Sequence, residues 1–226
     1  MEINIKPLFS ITKSNPNIGI FVAHSDDETI WAAGLMLERL KWNFNVHILT
    51  DQPQMRYDEA INARNMLQTF RQNIGDEETG EVNFLFDELI PDKWDPDSGD
   101  KEKLFEKLDL MDFDRYDAIV THNIQGEYGH IQHIWIGEYF KQKQEEKPSL
   151  NVWHFFTPTA YKESQNLGKS IVSLYLNREV RENKLLVMNE NYLSQLGALW
   201  NPEGDYFMNF QFYSGCELFT NYQNVI

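Results

Sequence analysis

The stretch Ile18-Gly19-Ile20-Phe21-Val22-Ala23-His24-Ser25-Asp26-Asp27-Glu28 changes abruptly from an apolar run to polar and acidic side chains. The apolar part reads as a strand. The segment after it reads as a helix: Ile30, Ala33, Leu37 and Leu40 recur at i, i+3 and i+4 spacing, and Ser25 with Glu28 three residues on has the form of a capping box. The junction is therefore the end of a first strand feeding a first helix, the edge at which α/β sheets bind ligands.

Working outward, further short β-branched or apolar runs read as strands: Val46 to Thr50, Val82 to Phe86, Ala118 to Thr121 and Val152 to Phe156. Helices are expected at Tyr57 to Phe70, Lys101 to Met111, His133 to Lys143 and Arg178 to Leu196. Ile90 to Gly99, with Pro91, Pro96 and Gly99, reads as a loop. Its Asp95, Asp97 and Asp100 lack the spacing and terminal Glu of an EF-hand loop. The alternation predicts βαβ units, and hence an α/β, Rossmann-like three-layer fold with a mostly parallel sheet. With 226 residues, no internal repeat and no linker-like segment, the chain reads as a single domain over residues 1–226.

The charge balance is 20 Lys+Arg against 35 Asp+Glu, a net of −15. That argues against nucleic acid or an anionic membrane surface as partner, since both require clustered cations. Residues 76–117 carry 16 acidic and 5 basic side chains, which reads as a solvated surface. One cysteine, Cys216, excludes a disulfide framework or a Cys-built metal site. Pro7 and early polar residues interrupt any signal-peptide core, and no run approaches the ~18 apolar residues of a membrane span. A cytoplasmic protein is expected, with the oligomeric state, homo-oligomer included, left open.

A second junction comes after the fourth strand candidate, in Thr121-His122-Asn123-Ile124-Gln125-Gly126-Glu127-Tyr128-Gly129-His130-Ile131-Gln132-His133. His130 and His133 stand three apart, placing them on one face of a helical first turn. In the strand order 3-2-1-4-5, strands one and four are neighbours at the point where the sheet reverses direction. His24, Asp27, His130 and His133 are then expected to converge on one crevice. Two imidazoles and one carboxylate make a three-ligand zinc site with an open fourth position, the catalytic arrangement.

With these residues in place, the chain resembles the PIG-L/LmbE family of zinc-dependent de-N-acetylases. The family signatures AHPDDE and GHPDH stand here as AHSDDE (23–28) and GHIQH (129–133). Arg56 to Ala63 matches the family's R..E...A helix, Tyr192 to Gln195 resembles its Y.SQ element, and the resemblance runs from about residue 18 to 219. It implies His24, Asp27 and His133 as ligands of Zn2+, with another divalent metal such as Fe2+ left open. It further implies Asp26 as general base, His130 as second catalytic group and Arg56 in substrate contact. Asp26, between ligands, is placed to take a proton from water, and a protonated His130 would meet the oxyanion and then the leaving amine.

Two positions depart from the family pattern. Ser25 replaces a Pro, and either suits the start of a helix. Gln132 replaces an Asp, so an amide that can orient a histidine stands where a charge would also favour its cation, which bears on His130. Arg56 has an ordinary alternative, an i to i+3 pair with Glu59. His122 is expected behind the site, and His47 and His154 are expected to be structural. The resemblance thus implies a zinc hydrolase that removes acetyl from an N-acetylated amino sugar of N-acetylglucosamine type, or its conjugate. The rivals are a zinc amidase acting on another amide conjugate and a noncatalytic sugar- or nucleotide-binding module. A dinucleotide site is disfavoured because the first junction lacks the GxGxxG glycines.

Overall fold

A computed structural model of the chain describes residues 9, 11–75, 78–93, 98–156, 170–199 and 216–221. The strands are β1 (Asn17–Val22), β2 (Asn43–Asp51), β3 (Val82–Pro91), β4 (Ala118–Thr121), β5 (Val152–Phe155), β6 (Ser170–Tyr175) and β7 (Cys216–Asn221). The helices are α1 (Asp27–Glu38), α2 (Gln54–Ile74), α3 (Asp100–Leu108), the single turn α4 (Gly126–Gly129), α5 (Ile131–Glu146), α6 (Arg178–Asn191) and the short α7 (Leu196–Leu199). The seven strands form one sheet in the order β3-β2-β1-β4-β5-β7-β6. β1 to β5 are parallel, in the 3-2-1-4-5 order that the sequence predicts.

Period-two alternation in β1 divides the core. Ile18, Ile20 and Val22 pack with residues of α1, α2 and α6, among them Ile30, Ala63 and Val187. Phe21 and Ala23 face the other way, onto Leu104 and Leu108 of α3 and Ile136 and Phe140 of α5. Both faces of the sheet are therefore covered, giving three layers. Gly137 on α5 is required by this packing, because a Cβ there would lie 2.4 Å from the Asn123 carbonyl oxygen. Its absence lets α5 approach the segment leaving β4.

The sheet extends beyond expectation through β6 and β7, with β7 antiparallel to both β5 and β6. The expected loop at Ile90 to Gly99 starts later than read, since β3 continues through Pro91; residues 94–97, including Asp95 and Asp97, lie outside the described residues. The capping box is also corrected. Asp26 is the N-cap of α1, with φ 117° and ψ −34°, and the buried Ser25 hydroxyl has no hydrogen-bond partner. Glu28 does fold back, accepting from the Asp26 amide at 3.0 Å. No helix among the described residues is long and apolar enough to cross a membrane.

A buried ion pair fixes β7. Lys184 on α6 donates to Glu217 at 2.6 Å and to the Ile30 carbonyl at 2.7 Å, while Glu217 accepts from the Gly34 and Leu35 amides, each at 2.7 Å. Both side chains are fully buried. Removing one partner strands the other charge in a low-dielectric interior, so Lys184→Met is expected to lose about 3–5 kcal/mol of stability. Lys184→Met with Glu217→Gln, which removes both charges, should lie between that variant and wild type in urea denaturation.

Candidate metal centre

The two junctions meet because β1 and β4 are adjacent and parallel, with Phe21 opposite Thr121. Side chains continue the pairing beyond the ladder: the Thr121 hydroxyl donates to the Phe21 carbonyl at 2.9 Å, and the Ala23 amide donates to His122 Nε2 at 3.0 Å. Segments 23–28 and 122–133 are thereby held against each other. His24, Asp26, Asp27, His130, His133 and Arg56 all come to this place.

At its centre is a nearly equilateral triangle of acceptor atoms. His24 Nδ1 lies 3.3 Å from Asp27 Oδ2, His133 Nε2 lies 3.2 Å from Asp27 Oδ2, and the two nitrogens are 3.3 Å apart. Tetrahedral ligands at the usual 2.0–2.1 Å from zinc are about 3.3 Å from one another, so these three atoms fit a metal ion without rearrangement. Overlapping groups that could hold an ion, His24 with His130 and His133, and Asp27 with His122 and His133, share the same side chains.

The remote atom of each corner is fixed so that lone pairs face inward. His24 donates from Nε2 to Gln132 Oε1 at 2.8 Å, and the Gln132 amide donates to the Pro91 carbonyl at 2.8 Å, which sets its orientation. His133 donates from Nδ1 to Glu127 Oε2 at 2.8 Å. Asp27 Oδ1 accepts from the Trp31 indole at 3.2 Å. Burial alone would raise the Asp27 carboxyl, but before any metal binds the charged forms of His133 and His122 beside it hold it well below the usual carboxylate range.

Gln132 therefore acts on His24, whereas the sequence points to His130. His130 is the N-cap of α5 rather than a member of its first turn, and its ring centroid lies 4.7 Å from that of His24 and 4.6 Å from that of His133. Its Nδ1 is buried without a hydrogen-bond partner. Burial, together with the neighbouring His133 and His24, lowers its pKa to about 3, which disfavours the protonated His130 that the resemblance implies.

The three consecutive acids have different partners. Asp26 lies 3.2 Å from the Arg56 guanidinium, which also donates to the Ser25 carbonyl. Burial pushes its carboxyl up to about 7, with Arg56 opposing. Asp27 faces the histidines. Glu28 accepts from the Tyr192 hydroxyl and, at 2.7 Å, from Thr29. Arg56 does not pair with Glu59. That carboxylate instead accepts from the Ser194 amide at 2.8 Å and hydroxyl at 2.7 Å, so residues of the R..E...A and Y.SQ elements bind each other.

Glu127 is the site residue that the sequence reading missed. It is buried, accepts from His122 Nδ1 at 2.7 Å and His133 Nδ1 at 2.8 Å on one oxygen, and accepts from the Asn123 amide at 2.8 Å on the other. Its backbone is left-handed at φ 57°, between Gly126 at φ 66° and Gly129 at φ 89°. An acid flanked by two glycines inside a strand-to-helix junction was the available signal. His122 lies behind the triangle, as expected. His47 pairs with Asp87, and His154 with the His122 carbonyl, each at 2.7 Å.

No family model matches this sequence, and no curated protein matches it. Solved structures do. A deacetylase from the teicoplanin biosynthesis pathway is similar over 92% of this chain and 99% of its own, at 16% identity and a TM-score of 0.60. The zinc-inhibited form of teicoplanin deacetylase Orf2 is similar over 90% and 96%, at 16% identity and 0.56. N,N'-diacetylchitobiose deacetylase from Pyrococcus horikoshii is similar over 96% and 90%, at 13% identity and 0.51. Across nearly its whole length, the chain has the fold of these deacetylases.

Proposed function

We propose that the chain is a zinc-dependent N-deacetylase of PIG-L/LmbE type, acting on an N-acetylated amino sugar of N-acetylglucosamine type or its conjugate. The observation that carries the reading is the triangle of His24, Asp27 and His133, with Asp26 beside it and unsuited by position to be one of its corners. The sugar class draws support from the chitobiose deacetylase and from the signatures AHSDDE and GHIQH. The reaction breaks an amide C–N bond, forms a C–O bond from water, and releases acetate and a primary amine.

When bound, zinc supplies Lewis acidity, polarising the amide carbonyl and making water nucleophilic near neutral pH. Asp26 takes the proton from that water, held for the task by Arg56. His130, neutral and with no carboxylate partner within 4 Å among the described residues, donates a hydrogen bond to the developing oxyanion. The proton held by Asp26 then returns to the leaving nitrogen. Arg56, next to Asp26, meets the polar groups of the substrate around the acetamide.

Assay of zinc-loaded protein on free, nucleotide-linked and lipid-linked N-acetylhexosamines is expected to yield acetate and primary amine in equal amounts. Turnover confined to peptide amides or phosphoesters would overturn the substrate class. Asp26→Asn should keep its zinc and lose at least about 100-fold in kcat, whereas His133→Ala should lose most of its zinc. Parallel loss of metal in Asp26→Asn would make that residue a ligand.

Glu127→Gln tests the orientation of His133. A glutamine that keeps its oxygen on the Asn123 amide turns its NH2 group toward both Nδ1 atoms. The imidazoles must then carry their protons on Nε2, where His133 meets the metal. Zinc affinity measured by competition with a chelator is expected to fall about 10–100-fold. The circular dichroism of the metal-free protein should be unchanged.

A further inference from the structure

A second cluster lies away from the metal centre, where a cleft of about 630 Å³ runs along β3 and is lined by Asn45, Arg64, Phe84, Leu85, Phe86 and Arg115. β3 ends the sheet, so among the described residues one side of its backbone has no neighbouring strand. The Phe44 amide donates to the Glu81 carbonyl at 2.8 Å, and Phe44 is opposite Val82 in the parallel register. Through this part of the ladder the odd-numbered residues therefore bond to β2, and Val82, Phe84 and Phe86 turn their N–H and C=O groups outward.

The ends of this outward row are closed. The Val82 amide is taken by Gln68 Oε1 at 3.0 Å. At the other end, Glu88 adopts φ 51° and the Leu89 carbonyl accepts from Lys107 at 2.6 Å. Between them, the outward groups of Phe84 and Phe86 have no partner among the described residues. Natural proteins usually blunt such edges along their length, and here the open stretch coincides with the cleft.

Charge identifies the occupant. In a chain with net charge −15, neither Arg64 nor Arg115 lies within 4.0 Å of a carboxylate among the described residues. Arg115 is also held in place: its guanidinium sits 4.7 Å from the Tyr116 ring centroid and donates to the Tyr116 hydroxyl. That hydroxyl bonds His47 Nε2 at 2.6 Å, and His47 Nδ1 bonds Asp87 at 2.7 Å. An exposed arginine is thus anchored by an Asp–His–Tyr chain in which His47 and Tyr116 are buried and Asp87 is partly exposed.

We infer that the open edge of β3 docks an extended acidic peptide, which adds a strand between Val82 and Phe86. Main-chain groups of Phe84 and Phe86 supply the pairing, and the arginines supply selection. Arg64 belongs to α2, on the sheet face of Phe84 and Phe86, while Arg115 and Asn45 line the opposite face. Successive strand side chains alternate faces, so two acidic residues at odd spacing reach both arginines.

The test uses the full chain and fluorescein-labelled valine–threonine octapeptides carrying two aspartates at odd spacing, two at even spacing, or two lysines. The odd-spaced aspartate peptide should bind most tightly by anisotropy, weaken with salt, and slow hydrogen exchange at the Phe84 and Phe86 amides. Arg64→Glu combined with Arg115→Glu should weaken it at least about tenfold, with zinc content and deacetylation unchanged. Phe84→Pro removes an outward donor without touching the ladder to β2, and should abolish binding in protein whose circular dichroism matches wild type. Equal binding of the lysine peptide, no binding of any of the three, or unchanged exchange at Phe84 and Phe86 would overturn the inference. So would slowed exchange at those amides on raising the protein concentration alone, which would assign the edge to a second copy.

Discussion

The site depends on one joint, the side-by-side exit of β1 and β4 from the sheet. Their ladder ends at Phe21 and Thr121, yet pairing continues through side chains, with His122 Nε2 accepting the Ala23 amide. With Nε2 accepting there, His122 donates from Nδ1 to Glu127. The same Glu127 oxygen then fixes His133. A backbone register between two strands is thus relayed, one hydrogen bond at a time, to the orientation of a metal-facing nitrogen.

Strain is also stored at the same joint. Asp26 and Glu127 are non-glycine residues with positive φ, one in each junction. Such conformations cost on the order of 1–3 kcal/mol each. Glycine would relieve the backbone at either position but would remove a carboxylate that faces the site. The cost of burying these acids is offset locally, by Arg56 for Asp26 and by imidazole N–H groups for Glu127. Of the acidic excess of residues 76–117, Asp92 reaches the site, with its carboxylate 3.9 Å from His24 Nε2.

Much of this was legible in the sequence because the parallel core is written in continuous apolar runs. β1 to β5, their order, and the convergence of His24, Asp27, His130 and His133 follow from those runs and from the two junctions. β6 and β7 were not legible. β7 carries Glu217 in its second position, which reads as a polar break until Lys184 neutralises it from α6. Local rules also lost to distant partners: Glu59 binds Ser194, Gln132 orients His24, and the N-cap moves from Ser25 to Asp26. In each case the competing partner lies at least 100 residues away, or the turn geometry is imposed by the opposing strand, and neither can be read from a window of sequence.

The late part of the chain nevertheless bears on the chemistry. Arg56 and Glu59 lie about one turn apart on α2, so the grip of Ser194 on Glu59 sets where Arg56 can stand relative to Asp26. Tyr192, two residues earlier, holds Glu28 two residues beyond Asp26. The turn after α6 therefore restrains Asp26 from both sides, through α2 and through α1. The two weaker sequence elements, Arg56 to Ala63 and Tyr192 to Gln195, make physical sense as one clamp that keeps Asp26 in its strained conformation beside the triangle.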